Sequence, residues 1–291
     1  MEPYQYGWVV ILRFTTTMSF VLNGKRVGVP GLNTTCWLDD PTIKYITDKD
    51  PRTRWLRGIV AHTIHGKLGK LLPGFGPNTD IDTKLARYQT NTTRNVSWDF
   101  TEDFNGEWLI QNDPLKHYSW QATSVNPITC GFEMVQRENG DMYEGQITQA
   151  VLFVDALTAL LGIQRQIPWD KVKDKPKLGQ VQRIAGSNAG ADVVGIYSHN
   201  NQTSNKPIGD PGPALFIALK NAGYELFDFD SGDDLSTWKA RQVSLGLASA
   251  VCDGVPGPKT VQALKAQAMQ QGGHSKHGLW VKRPVDALID G

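Results

Sequence analysis

Two histidines and one aspartate, widely separated in a chain of 291 residues, have the chemistry to hold a metal ion. His62 ends the apolar run Gly58-Ile59-Val60-Ala61, and His199 ends Gly195-Ile196-Tyr197-Ser198. Asp210 opens Asp210-Pro211-Gly212-Pro213, eleven residues beyond His199. Two imidazoles and one carboxylate bind Zn²⁺ and leave a fourth position for water. The ion lowers the pKa of such a water to about 7 and polarises a substrate carbonyl. Strand ends suit this task, because the scaffold fixes the ligands while the loops beyond stay open to substrate. Each residue also has a plainer use. A strand-end histidine can simply be packed and hydrogen-bonded, and an aspartate before Pro-Gly can cap a helix or form a turn. Spacing alone leaves both readings open, since no contiguous His-Glu-x-x-His motif is present.

The elements that must position these residues are legible in the patterning. Asn23-Gly24 between two apolar stretches predicts a hairpin over Phe20 to Val29, and Pro30 to Arg57 reads as a polar extended arm. Gly58 to His62 predicts a short buried strand, Asp82 to Gln89 a short helix, and Thr129 to Gln136 another strand. Val96 to Phe104 and Glu107 to Gln111 predict a strand pair turning at Asn105-Gly106. Ile147, Val151, Val154, Leu157, Leu160 and Leu161 recur at three and four, which predicts a helix over Gln146 to Leu161 with Gly162 as its stop. Asp192 to Ser198 reads as a strand, and Pro213 to Asn221 as a helix with proline in its first turn. The expected fold class is therefore α/β (α+β), a mixed central β-sheet flanked by helices. Leu235 to Leu247 and Lys259 to Met269 read as amphipathic helices and predict a small all-α three-helix domain behind it. The expected divisions are an N-terminal hairpin and arm (1–54), a catalytic domain (55–226), a linker (227–234) and a helical domain (235–291).

Composition narrows the class of partner. Thirty Lys and Arg balance 29 Asp and Glu to a net charge of +1, so nothing advertises nucleic acid. With 40% hydrophobic residues the chain is not a disordered one. Three distant cysteines, Cys36, Cys130 and Cys252, rule out a disulfide framework or a Cys-x-x-Cys site. The apolar stretch Trp8 to Leu12 is too short to span a membrane and lacks a basic start, so no Sec signal and no stable membrane insertion are expected.

Five blocks in order carry a resemblance: Gly58-Ile-Val-Ala-His62-Thr63, Val96-Ser-Trp98-Asp-Phe100 with Asn105-Gly106, Trp120-Gln121-Ala122, Thr129-Cys-Gly-Phe-Glu133, and His199 followed by Asp210-Pro-Gly-Pro-Ala-Leu215. Over residues 55–222 the chain resembles the zinc-dependent N-acetylmuramoyl-L-alanine amidases, a superfamily that includes phage lysozyme-type amidases and peptidoglycan recognition proteins. The resemblance implies that His62, His199 and Asp210 bind Zn²⁺. It implies that Glu133 is the general acid and base, for which an ion pair at a sheet end is the plainer alternative. Lys206 is then the candidate to stabilise the oxyanion, or else a solvated loop lysine. His65, Trp98, Trp120 and Gln121 are candidate substrate contacts. The chain departs from the family at three places: Ile208 stands where many members have that lysine, Trp98 where tyrosine is frequent, and Gln121 where histidine is common.

The tail has its own resemblance. Trp238 to Leu247, then Asp253-Gly254-Val-Pro-Gly257-Pro-Lys-Thr260, then Val261 to Leu264 are similar to a three-helix peptidoglycan-binding module. Asp253, Gly254, Gly257 and Thr260 would form its turn. Together the two resemblances imply a monomeric hydrolase of bacterial peptidoglycan that cuts between N-acetylmuramic acid and L-alanine. It would be a phage endolysin reaching the wall after release, or an effector delivered by a secretion machine. Two other readings remain: a peptidoglycan binder that does not cleave, and a zinc peptidase acting within the stem peptide.

Overall fold

The computed structural model describes residues 19–46, 49–181, 194–203, 205–228, 239–240, 242–249, 252, 259, 263 and 266. The tail-module residues Asp253, Gly254, Gly257 and Thr260 lie outside the described residues, as does most of 229–291.

The described residues open with β1 (Ser19–Leu22) and β2 (Lys25–Gly28), which pair antiparallel across the Asn23-Gly24 turn. Both turn residues have positive φ, 53° and 74°, the conformation that Asn-Gly accommodates. The Asp113 carboxylate accepts both turn amides, at 3.1 and 2.7 Å, and ties the hairpin to the body. Next come β3 (Asn33–Cys36), β4 (Lys49–Pro51), β5 (Gly58–Thr63) and β6 (Leu71–Leu72). Helix α1 (Ile81–Asn91) precedes β7 (Phe100–Glu102), β8 (Glu107–Ile110), β9 (His117–Ser119), β10 (Thr129–Met134) and β11 (Met142–Tyr143). Helix α2 (Glu144–Leu161), β12 (Gln166–Asp170), β13 (Lys175–Pro176), β14 (Gly195–Ser198), α3 (Pro213–Asn221) and β15 (Glu225–Phe227) follow among the described residues.

The central sheet runs β14–β5–β10–β7–β8–β3 and is mixed: every neighbouring pair is parallel except β7 and β8. Strand side chains alternate between faces, and here the alternation separates two cores. Ile59, Ala61, Cys130, Phe132, Met134 and Ile196 face the main core, while Val60 and Tyr197 face a second cluster with Ala122, Val125 and Ile128. Helices α2 and α3 cover the first face through Phe153, Val154, Leu157, Leu215, Phe216 and Leu219. Phe153 stacks on Trp108 with ring centroids 3.5 Å apart. Truncating such a buried ring costs about 3–5 kcal/mol. Helix α1 covers part of the other face, where Ala86 meets Leu109 and Ile43. A sheet buried on both sides explains why its strands read as continuous apolar runs.

One expectation fails. The segment from Pro30 to Arg57 is not an arm apart from the core: β3 within it is the edge strand of the central sheet. Phe20 of the preceding hairpin packs against Phe100 and Phe153. Asn33-Thr-Thr-Cys36 hides this because only two of its four residues are buried, an edge strand with polar residues turned outward.

Candidate metal centre

Register assembles the site. Glu133 on β10 pairs with His62 on β5, Thr101 on β7 pairs with Glu133, and Leu109 on β8 pairs with Thr101. Neighbouring strands lie about 4.8 Å apart, so these side chains form one row across the same face. On the far side of β5, Ser198 of β14 pairs with Ala61, which brings His199 level with His62. The loop after His199 then returns Asp210 just before α3.

His62, His199 and Asp210 are all buried, and each offers one ligand atom within 4.8 Å of the others. The two imidazole Nδ1 atoms are 2.7 Å apart, and His199 Nδ1 lies 3.1 Å from Asp210 Oδ2. The other Asp210 oxygen, Oδ1, accepts the backbone amide of Thr63 at 2.8 Å. That amide lies one residue beyond His62, so the same strand end holds both side chains in place. Burial, then the neighbouring His199, push His62 down to about 3. Burial pushes the Asp210 carboxyl up, but hydrogen bonding to His199 and the nearby imidazoles outweigh it and hold the group below its ordinary value. A neutral imidazole and an ionised carboxylate are the forms that bind a cation. The two-nitrogen, one-oxygen donor set fits Zn²⁺ and matches a site with room for a further ligand.

Glu133 stands beside this cluster with 9% of its surface exposed. Burial first, and then the negative charge of Asp210, push its carboxyl well above the usual range, with Lys206 opposing. Lys206 reaches in from the rim, its Nζ 3.8 Å from Asp210 Oδ2 and its side chain 41% exposed. Ile208, two residues before Asp210, is exposed.

The remaining candidates spread out. His65, exposed, lines an open cleft of about 610 Å³ with Phe104, Gln136 and Arg137, beside the ends of β5 and β10. Trp98 is buried, and its indole N–H donates to Thr101 Oγ1 at 2.7 Å, one strand from Glu133. Trp120 is half-buried and donates to Asp50 at 2.9 Å. Gln121 is buried, with Oε1 3.0 Å from His62 Nε2, so it contacts the cluster from behind rather than from the cleft. Sequence reasoning did not anticipate the Thr63 amide, nor Asp99, which is fully buried and accepts the Gly131 amide at 2.7 Å and the Ser119 hydroxyl at 3.0 Å. A backbone donor leaves no sequence signal. Asp99 does leave one, an acid amid buried aromatics in Ser97-Trp-Asp-Phe100.

No protein-family model matches the chain, and no curated protein matches it. Among solved structures it is similar to a mutant endolysin from Bacillus subtilis, at 21% identity over 46% of this chain and 80% of that one, with a TM-score of 0.35. It is similar to the N-acetylmuramoyl-L-alanine amidase LysC from Clostridium intestinale, at 12% identity over 66% of this chain and 96% of that one, TM-score 0.36. It is similar also to Drosophila peptidoglycan recognition protein SA, at 14% identity over 68% and 95%, TM-score 0.39. Overlaps this weak leave the functional conclusion to the chemistry of the site. Among the described residues no helix is long and apolar enough to cross a membrane.

Proposed function

We propose that this chain is a zinc-dependent amidase of bacterial peptidoglycan, cleaving the amide between the lactyl group of N-acetylmuramic acid and L-alanine. The observation that carries the proposal is the meeting of His62, His199 and Asp210 within 4.8 Å, with Glu133 next to His62 in register. A Zn²⁺ ion held by these three side chains supplies Lewis acidity toward a carbonyl oxygen and acidifies water. Glu133, in register with His62, takes a proton from the attacking water and passes one to the leaving amine. Lys206, with its ammonium 3.8 Å from Asp210 Oδ2, is the candidate to stabilise the oxyanion. The tail resemblance adds a wall-binding module that raises local concentration on an insoluble polymer.

Mass spectrometry of purified peptidoglycan after digestion tests the proposal. Release of intact stem peptides from the glycan is the expected result. Shortened stem peptides would point to a peptidase, and unchanged muropeptides with wall binding retained would point to a binder, the reading that Ile208 in place of the family's lysine favours.

A further inference from the structure

Behind His62 the polarity of one hydrogen-bond chain is fixed. The Thr129 hydroxyl donates to the carbonyl of Val125 at 3.0 Å, so its oxygen is left to accept. The Gln121 amide nitrogen donates to that oxygen at 3.4 Å, which turns Gln121 Oε1 toward His62 Nε2, 3.0 Å away. An amide oxygen only accepts. His62 must therefore carry its proton on Nε2, and its Nδ1 lone pair is left pointing at the space shared with His199 Nδ1, 2.7 Å off. The backbone of Gln121 is held by Asn126 Oδ1, which accepts its amide at 3.2 Å.

Room for this arrangement comes from Gly131 on β10. A Cβ built there would lie 1.3 Å from Gln121 Oε1. Its φ is not positive, so the backbone does not demand glycine at this position. The Gln121 side chain does, because it crosses the strand where any other residue would project.

We infer that Gln121, seated over Gly131 and oriented by Thr129, is a positioning residue that sets the His62 tautomer for metal binding, and is not a substrate contact. The inference rests on the proposed metal centre. Outer partners of this kind fix ring orientation and raise ligand basicity, and removing one lowers metal affinity about 10–100-fold.

The test measures Zn²⁺ affinity by competition with a chromophoric chelator, alongside imidazole ¹⁵N shifts in the metal-free full chain. Gln121→Met, near in shape but unable to accept, should bind Zn²⁺ about 10–100-fold more weakly. Gln121→Glu, which restores an acceptor, should bind more tightly than Gln121→Met, and Gly131→Ala should reproduce the weakening. Wild type should show His62 protonated at Nε2, a readout that needs no variant to fold. An Nδ1-protonated His62 in wild type would overturn the inference. So would Gln121→Met with unaltered Zn²⁺ affinity and only a raised KM. If wild type itself binds no Zn²⁺, the metal centre fails and this inference fails with it. Zn²⁺ bound equally by wild type and Gln121→Met removes the tautomer role alone.

Discussion

Replacing Glu133 by Gln keeps the side chain's size and removes its capacity to carry a proton. Its neighbours are the reason it is proposed as the proton carrier. It faces His62 in register, and its charge is governed by burial, Asp210 and Lys206. Positioned acid–base groups contribute about 10²–10⁴ in rate, which is about 2.7–5.4 kcal/mol of barrier at ~1.4 kcal/mol per tenfold. The three proposed ligands and the Thr63 amide on Asp210 are untouched by the change, so metal content should hold. The expected outcome is a kcat reduced by about 10²–10⁴ on soluble muropeptide, with KM little altered and full metal by elemental analysis. The effect on stability has the opposite sign. A carboxyl raised in the folded state favours folding below its unfolded value, and that contribution is lost as pH rises through the raised one. Metal-free Glu133→Gln loses this slope and should be no less stable than wild type at pH 7. Undiminished turnover with metal retained would refute the assignment. Loss of metal together with rate would make Glu133 a support of the cluster instead.

Two further outcomes are expected. Glu102 is fully buried, both its oxygens lack a hydrogen-bond partner among the described residues, and burial followed by Asp103 pushes it well above the usual range. Glu102→Met should gain about 1–3 kcal/mol at pH 8. It should also flatten the decline in stability between pH 4 and pH 8, with urea melts at the two pH values as the check. Deleting residues 235–291 should weaken sedimentation with cell walls while sparing cleavage of soluble fragments, and equal loss of both would count against a separate binding module.

What could be read from the sequence depended on how much of each element is buried. Strands β5 and β10 and helix α2 stand out because neighbours cover them and their apolar residues are dense, as in Gly58-Ile-Val-Ala and Thr129-Cys-Gly-Phe. The turns at Asn23-Gly24 and Asn105-Gly106 are legible from local backbone chemistry, with both glycines at positive φ. Strand β12 is hidden in the sequence because Pro168 interrupts Gln166-Ile-Pro-Trp-Asp170, and a proline argues against a strand until tertiary pairing with β15 overrides it. His62, His199 and Asp210 were legible residue by residue, yet their convergence needed the parallel register of β5, β10 and β14. The position of Gln121 was noted but its side was not. From sequence it is a polar residue near the strand carrying Glu133, and only the crossing over Gly131 places it behind His62.

The central claim is that His62, His199 and Asp210 share one divalent cation. Anomalous diffraction at the zinc edge from crystals of the zinc-loaded chain, paired with elemental analysis of His62→Ala and Asp210→Ala, tests it most directly. One peak per chain at the meeting point of the three side chains, abolished in both variants, is the expected result. No peak there, or zinc retained at full stoichiometry after both substitutions, would contradict it.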